Sequence, residues 1–241
     1  MIIDNPPLNI ITADVRKDLH RALDELESRG ADVRALVVTG QGDRAFSVGA
    51  DLAEEVNLTP DTARQFLEED NGVYDRIEAM PFPSIAAING YCMGGGFELA
   101  LACDLRIAAE DAKLRAAGVR VGLVVSTTRL VRLVGLGTAA DIILTGRTLT
   151  GTEAREYAVV TRTTPAGDLL PAAQALAATI ASRAPLAVRR AKVSMREAME
   201  LNFADAYSRE LDHFVALTGT SDHKHAIDAF FRGETPQFRG E

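Results

Sequence analysis

The segment Asn89-Gly90-Tyr91-Cys92-Met93-Gly94-Gly95-Gly96-Phe97-Glu98-Leu99 joins three consecutive glycines to one carboxylate. Such a glycine run costs backbone entropy, so the bare backbone must serve a purpose. Two purposes fit. The glycines let a helix pack closely on a strand, or they present free N–H groups of a helix N-terminus to a negatively charged oxygen. Glu98 follows Gly95 by three residues, and residues three apart share a helix face. A carboxylate would then stand one turn above a backbone donor. Its neighbours Phe97, Leu99, Ala100 and Leu101 are apolar, so Glu98 is either buried for a reason or set on a narrow solvent stripe. Burial of a carboxylate raises its pKa and makes it a usable proton shuttle. No Lys or Arg occurs between Arg76 and Arg106. An anion bound here would rest on backbone N–H groups, as in an oxyanion hole. Burial would act on Glu98 alone unless a cation arrives from a remote part of the chain.

A second glycine-bearing segment is Gly40-Gln41-Gly42-Asp43-Arg44-Ala45-Phe46-Ser47-Val48-Gly49-Ala50-Asp51-Leu52. It contains G-x-G-x-x-A, a form of the dinucleotide fingerprint. That motif should open a helix and be followed about 20 residues later by an acid ending a second strand. Here Phe46-Ser47-Val48-Gly49 interrupts, and Leu58-Thr59-Pro60-Asp61 starts a helix. An NAD-dependent oxidoreductase is therefore a remote alternative, and a long loop with glycine turns is the plainer reading. There is no phosphate-binding P-loop and no G-x-S-x-G. Of His20, His213, His223 and His225, the last two flank Lys224, a poor ligand spacing, so no metal site is expected.

The elements that must position these segments alternate. Val15, Leu19, Ala22, Leu23 and Leu26 recur at helical spacing. Val33–Thr39 reads as a buried strand. Thr59-Pro60 opens a helix that Pro81 and Pro83 stop near Met80. Ser84–Asn89 is a strand, Phe97–Ala102 a helix, and Asp104–Ala109 a third strand. Helix and strand in alternation predict an α/β fold with parallel strands. Gly135-Leu136-Gly137 reads as a helix-to-helix turn. Residues 168–183, 185–199, 202–217 and 221–231 all read as helices, so the last quarter is helical.

Composition sets the outer limits. The chain has 241 residues, 47% hydrophobic and 25% charged, enough for a substantial core. A net charge of −8 disfavours nucleic acid as a partner. No apolar run is long enough for a membrane span, and Met1–Asn9 lacks the features of a secretory leader. Two cysteines, Cys92 and Cys103, are too few for a disulfide framework. The expectation is a reducing, cytoplasmic location.

Taken together, these segments resemble the enoyl-CoA hydratase/isomerase (crotonase) family along nearly the whole chain. The matching stretches begin with Asn5-Pro6-Pro7-Leu8-Asn9, Leu36–Gly40, Phe46–Leu52 and Pro83–Gly90. They continue with Gly94–Ala100, Cys103–Ala108, Leu144-Thr145-Gly146-Arg147 and Ala229–Pro236. The resemblance implies a spiral of ββα units over residues 1–185, as an acyl-CoA-binding core, and a helical trimerisation region over 186–241. It implies a CoA thioester of fatty-acid metabolism as substrate, with no separate cofactor, and a homotrimer or dimer of trimers. It implies an oxyanion hole from the N–H groups of Ala50 and Gly95, with Glu98 as acid/base. Asp51, Leu52 and Gly94 flank that hole in the substrate-binding segments. Arg44 stands where members carry a basic residue near the CoA phosphates, although a solvated loop arginine fits equally.

The departures are specific. The position of the family's second glutamate is Gly118 here, and no Asp or Glu occurs between Asp111 and Asp141. The following turn, Val124–Arg129, lacks the family's glycine-rich loop, and Met1–Asp4 replaces a longer opening strand or hairpin. Hydration needs one group to activate water and one to deliver a proton. The missing acid weakens the hydratase reading and the isomerase reading alike. It leaves room for an acyl-CoA-binding relative with little turnover.

Overall fold

A computed structural model describes residues 1–241, the side chain of Ala31 apart. Two compact units divide the chain. One comprises residues 1–29, 37–80 and 84–174, and the other 30–36, 81–83 and 175–241.

The first unit opens with strands Ile2–Ile3 (β1) and Ile10–Ile11 (β2), then helix Ala13–Ser28 (α1). Strands Leu36–Gly40 (β3), Ala45–Ser47 (β4) and Gly49–Ala50 (β5) follow, then the short helix Leu52–Glu55 (α2) and the long helix Pro60–Ala79 (α3). Next come Ser84–Ile88 (β6), Tyr91–Met93 (β7) and helix Gly95–Ala102 (α4). Strands Leu105–Ala109 (β8) and Lys113–Arg115 (β9) precede helix Thr127–Thr145 (α5). Strand Leu149–Thr150 (β10), helix Gly151–Glu156 (α6) and strand Arg162–Thr164 (β11) complete the series before Leu169–Ala181 (α7).

The strand order explains the winding. One sheet runs β1-β3-β6-β8-β11 and a second runs β10-β9-β7-β4. In three successive passes the first strand, β3, β6 or β8, joins the large sheet. The next, β4, β7 or β9, joins the smaller one. β6 pairs with β8, and β7 with both β4 and β9, in parallel. The chain therefore advances one strand per pass in each sheet. This is the α/β fold that the alternation of elements predicts, wound as the spiral of ββα units that the family resemblance implies. Phe46, Ile85, Ile88, Phe97, Leu99 and Ile107 are fully buried.

Several elements begin and end where local chemistry directs. Thr12 caps α1 by accepting from the Val15 N–H. Thr59, just ahead of Pro60, forms a capping box with Thr62 in the first turn of α3. Gly135, at φ 78° and ψ 162°, breaks α5 where a helix-to-helix turn is expected. Two expectations shift. The strand anticipated over Val33–Thr39 starts at Leu36, after a 3-10 turn at Gly30–Asp32. The Gly40–Leu52 segment contains two strands rather than only a loop, because buried Asn9 organises it. Its amide donates to the carbonyls of Gln41 and Ala45, while Ser47 Oγ donates to the Asn9 carbonyl.

In the second unit, Pro185–Glu200 (α8), Phe203–Thr218 (α9) and Ser221–Arg232 (α10) are helical. Asn202 and Thr220 cap the last two. No helix among the described residues is long and apolar enough to cross a membrane.

Candidate active site

The glycine run serves both of the purposes open to it. A Cβ on Gly96 would lie 2.2 Å from the Ser47 carbonyl oxygen, so Gly96 lets α4 pack onto β4. Gly94 has φ 52°, a conformation that L side chains rarely adopt, and turns the chain from β7 into α4. Gly95 contributes the first N–H of that helix, where no intrahelical acceptor exists. A Cβ on Gly95 would lie 3.4 Å from the Ala50 nitrogen and 2.8 Å from the Tyr74 hydroxyl. On the facing strand, Gly49 has φ 92°, and a Cβ there would lie 2.5 Å from the Gly95 nitrogen. The backbone at Ala50, the start of α4 and the Tyr74 hydroxyl therefore crowd around one point.

That point opens into a cavity of about 260 Å³, lined by Ala50, Gly95 and Glu98, by Asp70 and Tyr74 of α3, and by the Val124–Arg129 turn. The three residues expected to be catalytic are thus together. Arg44, Asp51, Leu52 and Gly94 do not line this cavity. Arg44 is exposed, and the Asp51 carboxylate accepts from the Ala53 N–H as the cap of α2. The G-x-G-x-x-A stretch runs from β3 into strand β4 and opens no helix, so the geometry a dinucleotide fingerprint requires is missing.

Polarity concentrates on this wall. Among the described residues, four buried side-chain atoms have no hydrogen-bond partner: Asp70 Oδ1, Glu98 Oε2, Ser126 Oγ and Thr164 Oγ1. The first three belong to residues lining the cavity. Buried polar atoms are nearly always paired, so three orphans around one hollow mark a place where a polar ligand or water supplies the partners.

A remote cation does reach Glu98. Arg129, in the first turn of α5, donates Nη1 to Glu98 Oε1. Its Nε and Nη2 bind Glu78 Oε2 at 3.0 Å and Asp75 Oδ1 at 2.6 Å, both on α3. The picture of a glutamate surrounded only by apolar groups and backbone is therefore corrected. The cation that neighbouring sequence lacks comes from 31 residues downstream. Burial works against the charge of Arg129, but the hydrogen bonds and charges of Glu98 and Glu78 outweigh it and raise its pKa. One Glu98 oxygen is thus fixed, and the other is left for the cavity.

Sequence reasoning missed the α3 face. Asp70, Val73, Tyr74 and Ile77 are its buried residues, at the spacing that puts them on one side. The Tyr74 hydroxyl donates to Asp70 Oδ2 at 2.8 Å. Burial raises the Asp70 pKa, although the Tyr74 hydrogen bond and the Arg16 charge oppose the shift. Burial and the neighbouring Asp70 push the Tyr74 phenol well above its usual range. Arg16 Nη1 stands 3.7 Å from Asp70 Oδ1, and Arg16 Nη2 binds Glu54 at 2.7 Å.

Gly118, which the resemblance sets at the position of the family's second glutamate, is buried in a 3-10 turn and does not line the cavity. A Cβ there would lie 2.7 Å from the Leu123 carbonyl oxygen and 2.8 Å from Val125 Cγ2. The space for an acid is filled.

The chain matches known proteins along nearly its whole length. The family model for enoyl-CoA hydratase/isomerase matches residues 1–241. The chain is 36% identical over 234 residues to the crotonyl-CoA hydratase of Syntrophomonas wolfei, covering 96% of this chain and 90% of that protein. It is 33% identical over 226 residues to the short-chain-enoyl-CoA hydratase of Clostridium acetobutylicum, covering 92% and 86%. Among solved structures, the enoyl-CoA hydratase of Bacillus anthracis superposes with a TM-score of 0.92 at 34% identity, covering 97% of this chain and 91% of that one. The DspI protein of Pseudomonas aeruginosa superposes with a TM-score of 0.93 at 34% identity, covering 99% and 92%.

Proposed function

The chain belongs to the enoyl-CoA hydratase/isomerase family, and we propose that it hydrates the double bond of a short 2-enoyl-CoA. In this reading the thioester oxygen sits against the N–H groups of Ala50 and Gly95. Glu98 takes a proton from water as the oxygen adds to the β-carbon, and the electron pair of the double bond moves to the thioester as an enolate. Two preorganised donors stabilise that charge, each worth about 2.7–4 kcal/mol of barrier. The observation that carries the reading is the convergence of Ala50, Gly95 and Glu98 on one cavity whose polar atoms lack partners. A volume of about 260 Å³ favours a short acyl group, since sites for larger ligands run to roughly 300–1,000 Å³.

Residues 1–185 would serve as the acyl-CoA-binding core, with Arg44, Asp51, Leu52 and Gly94 contributing on the CoA side. Residues 186–241 would join copies into a trimer or a dimer of trimers. Exposed Phe203, Tyr207, Leu211 and Phe214 on α9 support this, because monomers seldom present a large apolar patch to water. Cys92 and Cys103 are buried and form no disulfide, which suits a reducing compartment such as the cytoplasm.

The test is loss of enoyl absorbance on mixing the protein with crotonyl-CoA. Glu98→Gln should abolish turnover while leaving acyl-CoA affinity within about tenfold, since the carboxylate acts mainly in the transition state. An isomerase would use the same oxyanion hole, and its signature is a moved double bond without loss of unsaturation. Gly118 motivates a further reading, binding with little turnover. Tight acyl-CoA binding with unchanged absorbance would favour it over hydration.

A further inference from the structure

We propose that Tyr74, supplied by Asp70, is the second proton-transfer group of this site and delivers a proton to the α-carbon of the thioester enolate. The inference rests on the reading of Ala50 and Gly95 as the oxyanion hole. It assigns the acid that Gly118 cannot provide.

Three observations carry it. The Tyr74 hydroxyl is 2.8 Å from the place a Gly95 Cβ would occupy, and the Ala50 nitrogen is 3.4 Å from that same place. In the reading of Ala50 and Gly95 as the oxyanion hole the thioester is held at this point, which brings its α-carbon, two bonds from the oxygen, into the neighbourhood of the Tyr74 hydroxyl. Asp70 is 5% exposed and lines the cavity, and its Oδ1 has no hydrogen-bond partner. A buried carboxylate with a spare oxygen stands ready to accept or hold a proton. Third, the Tyr74–Asp70 hydrogen bond of 2.8 Å joins the two into one relay.

Burial favours the protonated form of Asp70, which delivery of the Tyr74 proton to the enolate requires. The charged groups around it are Arg16 on α1, Glu54 and Glu55 on α2, and Glu98 on α4. With Asp70 ionised, the tyrosine O–H donates to it and is unavailable. With Asp70 protonated, the carboxyl donates to the tyrosine oxygen, and the tyrosine O–H turns to the substrate.

The step balances. Hydroxide derived from water adds at the β-carbon while Glu98 takes the other water proton, and the double-bond electrons pass into the thioester enolate. As the enolate collapses, its electron pair takes the Tyr74 proton to form the α C–H bond. Tyr74 recovers a proton from the Asp70 carboxyl. Glu98 ends protonated and Asp70 ionised, and proton exchange with solvent resets both. Ser126 Oγ, the orphan hydroxyl among the described residues lining this cavity, has no hydrogen-bond partner and so no carboxylate to recharge it.

Butyryl-CoA in deuterium oxide separates this inference from the reading beneath it. This saturated thioester has no double bond to hydrate, so it reports only α-proton transfer, read as mass gain. The parent protein should exchange the α-protons. Tyr74→Phe, which preserves the ring, and Asp70→Asn, which preserves a hydrogen bond to Tyr74 but carries no transferable acid proton, should each slow exchange by about 10²- to 10⁴-fold. Glu98→Gln should keep it within about tenfold. In crotonyl-CoA hydration, all three variants should lose kcat with KM within about threefold.

Exchange that survives in Tyr74→Phe would overturn the proposal. Exchange lost in Glu98→Gln but kept in Tyr74→Phe would give both proton steps to Glu98. Loss in Tyr74→Phe with full exchange in Asp70→Asn would make the hydroxyl a third oxyanion donor and overturn the relay. A parent that neither exchanges butyryl-CoA nor hydrates crotonyl-CoA would refute the oxyanion-hole reading itself, and this inference with it.

Discussion

Replacing Arg129 with methionine tests the electrostatic design of the site most directly. The guanidinium serves three carboxylates of unequal burial. The Glu98 side chain is 12% exposed, whereas Glu78 and Asp75 are 39% and 66% exposed. The two outer pairs face water and contribute about 0–1 kcal/mol each. The inner pair differs. Methionine fills much of the arginine volume but leaves the Glu98 charge in a partly dry cavity, and breaking a buried pair in this way costs about 3–5 kcal/mol. Arg129 itself retains 19% exposure, which admits some water and points to the lower end, about 3 kcal/mol. For a chain of this length that corresponds to a fall of roughly 6–12 °C in Tm. Urea denaturation of Arg129→Met, Glu98→Gln and the double variant closes the cycle. The double variant should be more stable than the single effects sum to, by about 1–3 kcal/mol, because Glu98→Gln removes the charge that Arg129→Met strands. Strict additivity, or a loss below about 1 kcal/mol for Arg129→Met, would refute the coupling.

Other outcomes follow from the same geometry. Gly118→Glu should not raise hydration: its Cβ would meet the Leu123 carbonyl oxygen at 2.7 Å, so thermal melting should show a loss of about 1–3 kcal/mol from overpacking. Gly95→Ala should lower crotonyl-CoA turnover well before it lowers stability, because the added methyl projects toward the Tyr74 hydroxyl and the Ala50 nitrogen; kinetics alongside melting curves would separate the two effects. The Asp70 pKa is raised in the folded state, chiefly by burial. Its contribution is therefore fully present below the ordinary aspartate pKa and is lost as pH rises through the folded value. Relative to the parent, Asp70→Asn should gain stability as pH rises through that window and show no such gain in acid; a difference in Tm that stays constant with pH would count against it.

The legible parts of the sequence are those whose physics is local. The caps at Thr12, Asn202 and Thr220, the proline start at Pro60 and the break at Gly135 are all decided within a few residues, and the helices stand close to where they were expected. The glycine run was legible as a need for bare backbone but not as a division of labour. Only the fold shows that Gly96 meets Ser47 while Gly95 faces the cavity. Strands of two or three residues, such as β4, β5 and β7, are too short to display an alternating pattern. Asp70 and Tyr74 lie four apart on an amphipathic helix, a spacing shared by many structural pairs. Nothing near them in the chain announces that their face meets Gly95. Arg129 reaches Glu98 only through the packing of α5 beside α4.

Gly118 shows why an absent side chain does not amount to a vacancy. The Leu123 carbonyl and the Val125 side chain already occupy the volume an acid would need, so the space beside Gly118 is filled by backbone and a methyl group. The titratable groups instead cluster on the opposite flank of the sequence, with Asp70 and Tyr74 on α3 and Glu55 at the end of α2, all lining the cavity with Glu98. Burial raises the pKa of Asp70 and of Glu55, and Asp70 adds to the shift of Glu55. Glu98 is paired to Arg129 through one oxygen, whereas Asp70 has no cation within hydrogen-bond distance and only Arg16 at 3.7 Å. Two carboxylates in one cavity thus have distinct surroundings, and distinct surroundings are what allow one to serve as base and the other as acid. With Gly118 where the resemblance expects the second glutamate, the proposed relay from Asp70 through Tyr74 would supply the other half of the proton-transfer pair from α3.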